Sequence, residues 1–276
     1  MTRVLVLSVV SLKGGVGKTS VALGLASAAR HRGVRTLVVD LDPQGDATTG
    51  LAVDLREIED AGGGQTADVL QSSRSSVVRR AVRVSGWDAA VDGDGVVHVL
   101  PGGPRTATHD VPELHGRRLH RLGNALAHLE DDYRLVIVDC PPSLGGLTRA
   151  GLAAADRALV VTEPGLFALN AADGALRAVA DLRQGPAPDL QPLGILVNRV
   201  RSRSSEHDYR LSELKGLFGP LVLSPMVPER SALQQAQGSS TPLHDFPGHG
   251  AAELAGLFDQ LLGRVLRVRQ RRRRPE

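Results

Sequence analysis

The stretch VLSVVSLKGGVGKTS, residues 6–20, decides the fold, because an apolar run leads directly into a glycine-rich loop that ends in Gly-Lys-Thr. Glycine gives such a loop the backbone freedom to wrap around an anion, and a following helix points its first N–H groups at the same place. The general phosphate-loop pattern G-x-x-x-x-G-K-[ST] is matched only in its second half, since Leu12 stands where the first glycine belongs. The sequence therefore predicts a strand, a phosphate-binding loop with an unusual first half, and a helix.

The second half of the loop predicts an ATP site. The backbone N–H groups of Gly15, Val16 and Gly17 can face phosphate oxygens, and the Lys18 ammonium can reach the β- and γ-phosphates. The Thr19 hydroxyl can ligate Mg²⁺. The alternative is a plain glycine-rich turn between a strand and a helix. We predict ATP and Mg²⁺ as ligands, with the nucleotide held by Gly14, Gly15, Val16, Gly17, Lys18, Thr19 and Ser20.

Lysine is scarce in this chain, and its placement is informative. Only Lys13, Lys18 and Lys215 are lysines, whereas all other basic residues among the 33 Lys+Arg are arginines. Two of the three lysines lie in the loop. An ammonium is a compact point charge, unlike the planar guanidinium fork, so this placement suggests that the site requires the ammonium.

Beyond the loop, apolar runs typical of buried strands alternate with helical segments. The predicted strands cover residues 3–10, 34–40, 96–100, 134–140, 157–163, 192–198 and 219–224. The predicted helices follow the loop as far as Gly33, begin near Thr66, and extend over residues 113–129. This alternation predicts an α/β fold with a doubly wound, mostly parallel sheet flanked by helices, and with ligands at the carboxyl ends of its strands. We expect one domain over residues 1–262 and a basic tail over 263–276.

Composition favours a cytoplasmic protein. The chain of 276 residues is 42% hydrophobic, which is enough to bury one large core. Its one cysteine, Cys140, cannot form an intrachain disulfide, and we expect it to be a small buried side chain without a redox role. The first apolar run leads into the loop rather than to a signal-peptide cleavage site, and no run reaches the roughly 20 residues of a membrane span.

The segment KGGVGKTS, residues 13–20, resembles the deviant Walker A motif of the ParA and MinD group of P-loop ATPases. In that group the first lysine contacts the nucleotide of the partner subunit. The resemblance implies that Lys18 serves its own ATP while Lys13 serves the ATP across the interface of a homodimer, so that ATP is sandwiched between two chains. The added ammonium against the γ-phosphate would couple assembly to the triphosphate state.

Two further segments resemble motifs of the same group. VVDLDPQGDATTGL, residues 38–51, resembles its second motif, and LVIVDCPPSLGGLTRAGL, residues 135–152, resembles its Walker B motif. The resemblance implies that Asp139 holds Mg²⁺ through a water, with Thr19 and Asp40 in the metal site. It also implies that Asp42 orients the attacking water, which makes Lys13, Lys18 and Asp42 the catalytic residues. An isolated aspartate after a strand is more often a cap or turn residue, but the combined spacing argues against that here.

The C-terminal half resembles the group less specifically. Asn198 ends the strand within GILVNRV, where the group reads adenine, and Pro228 lies near the base in the later segment 224–246. Asparagine after a strand is also a common turn residue, so both interpretations of Asn198 stay open.

ParA-type proteins of this group bind DNA without sequence preference as dimers, so the resemblance, together with the placement of arginine, implies nonspecific binding to double-stranded DNA. The last 16 residues hold seven arginines and one glutamate, so the rest of the chain is net negative although the total is +3. The candidate DNA contacts are Arg199, Arg201, Arg203, Arg210, Lys215, Arg264, Arg267 and Arg269. Such a surface would bind phosphates with a steep salt dependence. A solvated charge run is the alternative, and acidic residues partly offset the first cluster.

The resemblance therefore implies an ATP-dependent partition ATPase. Such a protein dimerises with ATP, binds DNA, releases it after hydrolysis, and positions a chromosome, plasmid or protein cargo on the nucleoid; a ParB-type partner stimulates its weak ATPase. One alternative is a MinD-like membrane-associated ATPase, because residues 252–268 have leucines and valines at helical spacing beside arginines. Those apolar positions fit a core-covering last helix better. A metabolic ATP-dependent ligase on the same scaffold is a second alternative, whereas a single cysteine excludes a nitrogenase-type iron protein.

Overall fold

The described residues of the computed structural model, 4–88, 95–112 and 114–267, form one seven-stranded sheet flanked by helices. The strands are β1 (Leu5–Val10), β2 (Thr36–Asp40), β3 (Arg83–Val84), β4 (Val97–Leu100), β5 (Leu135–Asp139), β6 (Arg157–Thr162) and β7 (Gln191–Val197). Their order across the sheet is β3-β4-β2-β5-β1-β6-β7, and of these described strands only β3 runs antiparallel to its neighbour. The predicted α/β class with a mostly parallel sheet is confirmed.

Helices cover both faces of this sheet. They are α1 (Lys18–His31), α2 (Asp46–Gly50), α3 (Leu55–Asp60), α4 (Thr66–Gln71), α5 (Ser75–Ala81), α6 (Gly116–Leu119), α7 (Arg121–Leu126), α8 (Gly146–Ala154), α9 (Ala168–Arg183), α10 (Ser205–Phe218), α11 (Ser231–Gly238) and α12 (His249–Arg267). Short 3₁₀ turns occupy Gly86–Asp88, Pro104–His109, Ala127–Leu129 and Gly219–Leu221.

Side chains of the central strand alternate between two apolar cores, as successive residues of a strand must. Leu7 and Val9 of β1 belong to the core that contains residues of α1 and α12. Val6 and Val10 belong to the opposite core, with residues of α8 and α9. Because both faces are covered, the central strands are largely apolar, which is why they were recognisable in the sequence.

The register of the central strands brings the functional segments together. In the parallel ladders, Val9 of β1 and Asp40 of β2 both pair with Asp139 of β5. The loop after β1 and the two acidic strand ends therefore lie side by side at the carboxyl edge of the sheet. This is the edge where ligands bind in open parallel sheets.

Some predicted elements differ from the structure. The predicted strand at 219–224 is wrong, because Gly219–Leu221 form a 3₁₀ turn and Val222 makes an isolated bridge to Ile195. The predicted helix at 113–129 is divided into α6, α7 and a 3₁₀ turn, and Glu113 lies outside the described residues. The left-handed backbone of Gly116, with φ of 56°, marks the start of α6. The two-residue edge strand β3 was not predicted.

The last helix packs its apolar side into the core. Leu254, Phe258, Leu261 and Leu262 of α12 are almost fully buried in the core that contains residues of α1. Helix α12 continues to Arg267, beyond the predicted domain boundary at residue 262, and Arg269 lies outside the described residues. Among the helices that the structure describes, none has the length and apolar character needed to cross a bilayer.

Candidate nucleotide-binding site

The loop between β1 and α1 has the backbone of an anion-binding turn. Gly15 and Gly17 adopt left-handed conformations, with φ of 79° and 84°, which a side chain would strain. A Cβ on Gly17 would also overlap with Nδ2 of Asn198. Helix α1 begins at Lys18, so its first N–H groups and the positive end of its dipole are at the loop.

The Lys18 ammonium is buried between two carboxylates. Its Nζ lies 2.7 Å from Oδ1 of Asp139 and 3.9 Å from Oδ2 of Asp42. Burial disfavours the charged ammonium, but the attraction and hydrogen bond of Asp139, together with the nearby Asp42, raise the pKa of Lys18. The lysine is therefore held as a cation at the carboxyl edge of the sheet.

Thr19 and Asp139 form an oxygen pair that suits a hard cation. The Thr19 hydroxyl donates to Oδ2 of Asp139 at 2.7 Å, and the Asp139 side chain is fully buried. Hydroxyl and carboxylate oxygens are the donors that Mg²⁺ prefers. Within the described ranges, no group of three or more His, Cys, Asp or Glu side chains is arranged to hold a metal by itself.

Asp40 and Asp42 shape the segment that follows β2. Oδ2 of Asp40 accepts hydrogen bonds from the N–H and the hydroxyl of Thr48, at 2.9 and 2.7 Å, and its Oδ1 accepts from the N–H of Asp42. Burial and the neighbouring Asp139 raise the pKa of Asp40 to about 7. Asp42 accepts from the N–H of Gln44 at 3.0 Å and faces the cleft. Asp40 thus supports this segment, and its place in the metal site stays a prediction.

Lys13 is the more accessible of the two loop lysines. Its Nζ forms an ion pair with Oε1 of Glu163 at 2.6 Å, and the two side chains are 36% and 25% exposed. Glu163 follows β6, which is the strand next to β1. The partner of Lys13 within its own chain was not foreseen from the sequence.

Asn198 contacts the loop from the next strand end. Its Nδ2 donates to the carbonyl oxygen of Val16 at 2.8 Å, and the residue is 2% exposed. Pro228 lies beside this strand end through a parallel bridge to Val200. Neither residue lines the cleft in this structure, so the adenine role stays a prediction for both, while Asn198 has an observed contact with the phosphate loop.

A cleft of about 750 Å³ runs along the loop and the acidic strand ends. It is lined by all residues from Lys13 to Ser20, by Asp42, and by further residues that the nucleotide-site prediction did not include, among them Asp110, Ser143, Arg199 and Gln237. Ser20 donates its hydroxyl to Oε1 of Gln237 at 3.1 Å, which ties α1 to α11 at the cleft. Among the described residues, Nε2 of Gln237 has no hydrogen-bond partner although it is buried. Arg199, a predicted DNA contact, also lines this cleft, and its role in DNA binding stays a prediction.

The other predicted DNA contacts fall into two groups. Arg201 pairs with Glu229 at 2.5 Å, and Arg210 pairs with Glu206 and Glu213 at 2.7 and 2.8 Å. Their charges are therefore compensated locally. Arg203 and Lys215 are exposed near them, whereas Arg264 and Arg267 lie on α12.

The single cysteine is a core residue. Cys140 is fully buried among apolar side chains, and burial raises the pKa of its thiol to about 12. This is the environment expected for a structural cysteine.

Comparison with known proteins gives a consistent picture. The family model described as "AAA domain" matches residues 4–191. The chain is 31% identical to the chromosome partitioning protein ParA of Myxococcus xanthus, over 95% of this chain and 89% of that protein. It is 32% identical to the chromosome-partitioning ATPase Soj of Thermus thermophilus, over 92% and 93% of the two chains. A solved structure described as cobyrinic acid a,c-diamide synthase of Mycobacterium smegmatis, with bound ADP and magnesium, has a TM-score of 0.76, 29% identity and 97% coverage of each chain.

Proposed function

The chain belongs to the ParA/Soj-type P-loop ATPases, and on that premise we propose that it dimerises with ATP, binds DNA nonspecifically, and releases the DNA after hydrolysis. Its role would be to segregate or position a chromosome, a plasmid or another cargo in the cytoplasm, on the nucleoid. The observation that carries this proposal is the arrangement of two loop lysines at one cleft. Lys18 is directed inward to Asp139, and Lys13 lies outward at the rim.

The donor atoms at the cleft support ATP with Mg²⁺ as its ligands. Thr19 would ligate Mg²⁺ directly and Asp139 through a water, with Asp40 ordering the adjacent segment. Mg²⁺ held by these residues would neutralise the negative charge that develops during phosphoryl transfer. The similarity to a structure that holds ADP and magnesium supports an adenine nucleotide with magnesium here.

The chain's own residues would divide the remaining work. Lys18 would bind the β- and γ-phosphates of its own ATP, aided by the N–H groups of the loop. Asp42, which faces the cleft and accepts a hydrogen bond from Gln44, would orient the attacking water. Lys13 would reach the ATP of the partner subunit, and this added ammonium would make dimerisation depend on the γ-phosphate.

DNA and a stimulating protein are the proposed partners. Arginines on α12 and in the following tail would bind DNA phosphates without reading sequence. Similarity to ParA and Soj proteins supports a partition role, in which a ParB-type partner would stimulate a weak ATPase. The burial of the apolar side of α12 favours DNA over the membrane-associated alternative, because these side chains stabilise the core.

The test compares lysine variants that remove the same charge at different places. With ATP and Mg²⁺, we expect the wild type and Lys215→Ala to sediment as dimers and Lys13→Ala to remain monomeric, because Lys215 is exposed on α10 away from the cleft. We expect Asp42→Ala to bind ATP and duplex DNA without hydrolysing ATP. Tight ATP-dependent dimers of Lys13→Ala, or normal hydrolysis by Asp42→Ala, would contradict the assigned roles.

A metabolic ligase is the second candidate, because of the similarity to the structure described as cobyrinic acid a,c-diamide synthase. The two functions differ in what drives ATP consumption. A ligase would consume ATP only with a carboxylate substrate and an ammonia donor, whereas the proposed ATPase would respond to DNA and a partner protein. Measuring ATP turnover with cobyrinic acid and glutamine, and separately with duplex DNA, distinguishes them.

A further inference from the structure

A second concave site lies at the opposite edge of the sheet from the nucleotide loop. It is a pocket of about 570 Å³ whose lining includes Arg32, Arg134, Arg264 and Arg267, here called the arginine pocket. Arg32 follows the last residue of α1, a helix whose 14 residues span about 21 Å from the loop at its start. Arg134 directly precedes β5, whose other end carries Asp139. The pocket is therefore separated from the nucleotide cleft by the length of the sheet.

The arginine pocket carries positive charge that carboxylates of the described residues leave uncompensated. No acidic side chain is among the described residues that line it. None of the four arginines forms an ion pair with any residue that the structure describes. The nearest acids along the chain face elsewhere, since Asp132 pairs with Arg79 at 3.1 Å and Asp259 faces His244 at 3.6 Å.

The four arginines come from three separate parts of the chain and meet in one concavity. A Cβ on Gly263 of α12 would lie 3.6 Å from Nη1 of Arg32, so the guanidinium at the end of α1 reaches α12. Arg32, Arg134 and Arg267 are exposed, and Arg264 is half-buried. Guanidinium groups bind phosphate oxygens with two parallel hydrogen bonds, and they do so best when no carboxylate competes.

The surroundings of the pocket favour a nucleic acid over a lipid surface. The large apolar side chains that the structure describes as exposed are Val84, Leu144, Leu166, Phe167, Tyr209 and Leu217, and none of them lines the pocket. The apolar side of α12 is buried in the core. A helix that binds a bilayer needs exposed apolar side chains to insert, whereas duplex phosphates need only the positive charge.

We infer that the arginine pocket binds the phosphate backbone of double-stranded DNA, and that Arg32 and Arg134 are DNA contacts together with Arg264 and Arg267. This inference rests on the proposed function. It shifts the principal contact away from Arg201 and Arg210, whose charges are paired with glutamates. After Arg267 the sequence continues into five more arginines, which adds to the positive charge of this part of the chain.

The test measures duplex binding by the full chain with a slowly hydrolysed ATP analogue and Mg²⁺, from about 50 to 200 mM salt. The variant is Arg32→Ala/Arg134→Ala, in which both changed side chains are exposed. The matched control is Arg79→Ala/Arg105→Ala, which removes the same charge from exposed arginines that are paired with Asp132 and Asp68. ATP-dependent dimerisation is measured for each variant, to show that folding and nucleotide binding are intact.

We expect Arg32→Ala/Arg134→Ala to bind the duplex at least tenfold more weakly at the low-salt end. Its slope of log K against log salt should be less steep by about 0.9 for each DNA phosphate that the variant no longer neutralises. The control should keep the wild-type slope, and Arg32→Lys/Arg134→Lys should keep most of it because the charge remains.

The outcomes separate this inference from the proposed function. A wild type that binds no duplex in any nucleotide state overturns both. If the wild type binds the duplex and Arg32→Ala/Arg134→Ala binds it with the same affinity and salt slope, the inference about the arginine pocket is overturned and the proposed function is not. The inference would also be overturned, in favour of a lipid surface, by a second result. In that result the wild type binds phosphatidylglycerol vesicles with ATP, and the double variant loses this binding while its duplex binding is unchanged.

Discussion

Replacing Glu163 by glutamine should strengthen the ATP-dependent dimer. In this structure the Lys13 ammonium is bound 2.6 Å from Oε1 of Glu163 in its own chain. If Lys13 serves the nucleotide of the partner subunit, it has to leave that carboxylate when the dimer forms. Glu163 then competes with the partner's triphosphate for Lys13, and Glu163→Gln removes the competing charge while keeping the size of the side chain.

The exposure of the pair sets the size of the effect. The two side chains are 36% and 25% exposed, and an ion pair of this kind stabilises by roughly 0.5–1 kcal/mol. A two-fold dimer breaks two such pairs, one in each subunit, so the competing free energy is about 1–2 kcal/mol. The dimer dissociation constant of Glu163→Gln should therefore be lower by about 5- to 30-fold.

Sedimentation velocity over a concentration series, with Mg²⁺ and a slowly hydrolysed ATP analogue, measures this constant. The matched control is Glu253→Gln, which removes an exposed carboxylate from its pair with Arg230 outside the cleft and should leave the dimer unchanged. A second control compares Lys13→Ala with Lys13→Ala/Glu163→Gln. These two variants should dimerise to the same extent, because Glu163 has no lysine to compete for once Lys13 is removed. A Glu163→Gln dimer that is as weak as wild type or weaker, with ATP affinity intact, would refute the competition.

Three further predictions concern packing, the loop and the cysteine. Gly24→Ala should lower the free energy of unfolding by about 1–3 kcal/mol, because the new methyl group would overlap with the Phe258 ring. Gly256→Ala, on the open side of α12, should raise the free energy of unfolding by about 0.5–1 kcal/mol. Thermal or urea unfolding measures both changes. Asn198→Ala should weaken ATP and GTP alike by about fivefold in calorimetry, because it loses a roughly 1 kcal/mol hydrogen bond to the loop; a selective loss of ATP would instead indicate adenine recognition. Cys140 in the folded protein should resist alkylation at about pH 8. The rise in the pKa of its thiol from 9.0 to about 12 lowers the thiolate fraction at this pH roughly a thousandfold. Mass spectrometry of alkylated protein, folded and urea-treated, measures the difference.

The sheet and the nucleotide loop were predictable because they depend on short-range patterns. Strands buried on both faces are continuous apolar runs, and the loop is a contiguous motif. The proximity of Lys18 and Asp139 also followed, although 121 residues separate them, because both lie at the carboxyl edge of neighbouring parallel strands. The topology of the sheet thus brings residues from separate sequence motifs together in one site.

The features that escaped prediction depend on contacts that no local pattern encodes. Glu163 carries no motif, and only the adjacency of β1 and β6 brings it to Lys13. Arg199 belongs to a basic cluster in the sequence, but in the structure it lines the nucleotide cleft. Its backbone there is left-handed, with φ of 56°, a conformation that the sequence pattern does not indicate for an arginine. The short edge strand β3 has only two residues, Arg83 and Val84, too few to show a period.

The unequal burial of the two loop lysines has a consequence for the order of events. Removing one partner from a buried ion pair typically costs about 3–5 kcal/mol, roughly three times or more the worth of an exposed pair, so Lys18 leaves Asp139 only for a ligand as highly charged as a triphosphate. Lys13 would leave Glu163 at a cost of only about 0.5–1 kcal/mol, so a modest gain at the γ-phosphate of the partner subunit would be enough to move it. Under the proposed function, binding of a chain's own ATP would be the selective step, and freeing Lys13 would add little to the free-energy cost of dimerisation. A dimer that depends on a modest gain at the γ-phosphate would dissociate once that phosphate is lost, which is the property that the proposed timed release from DNA requires.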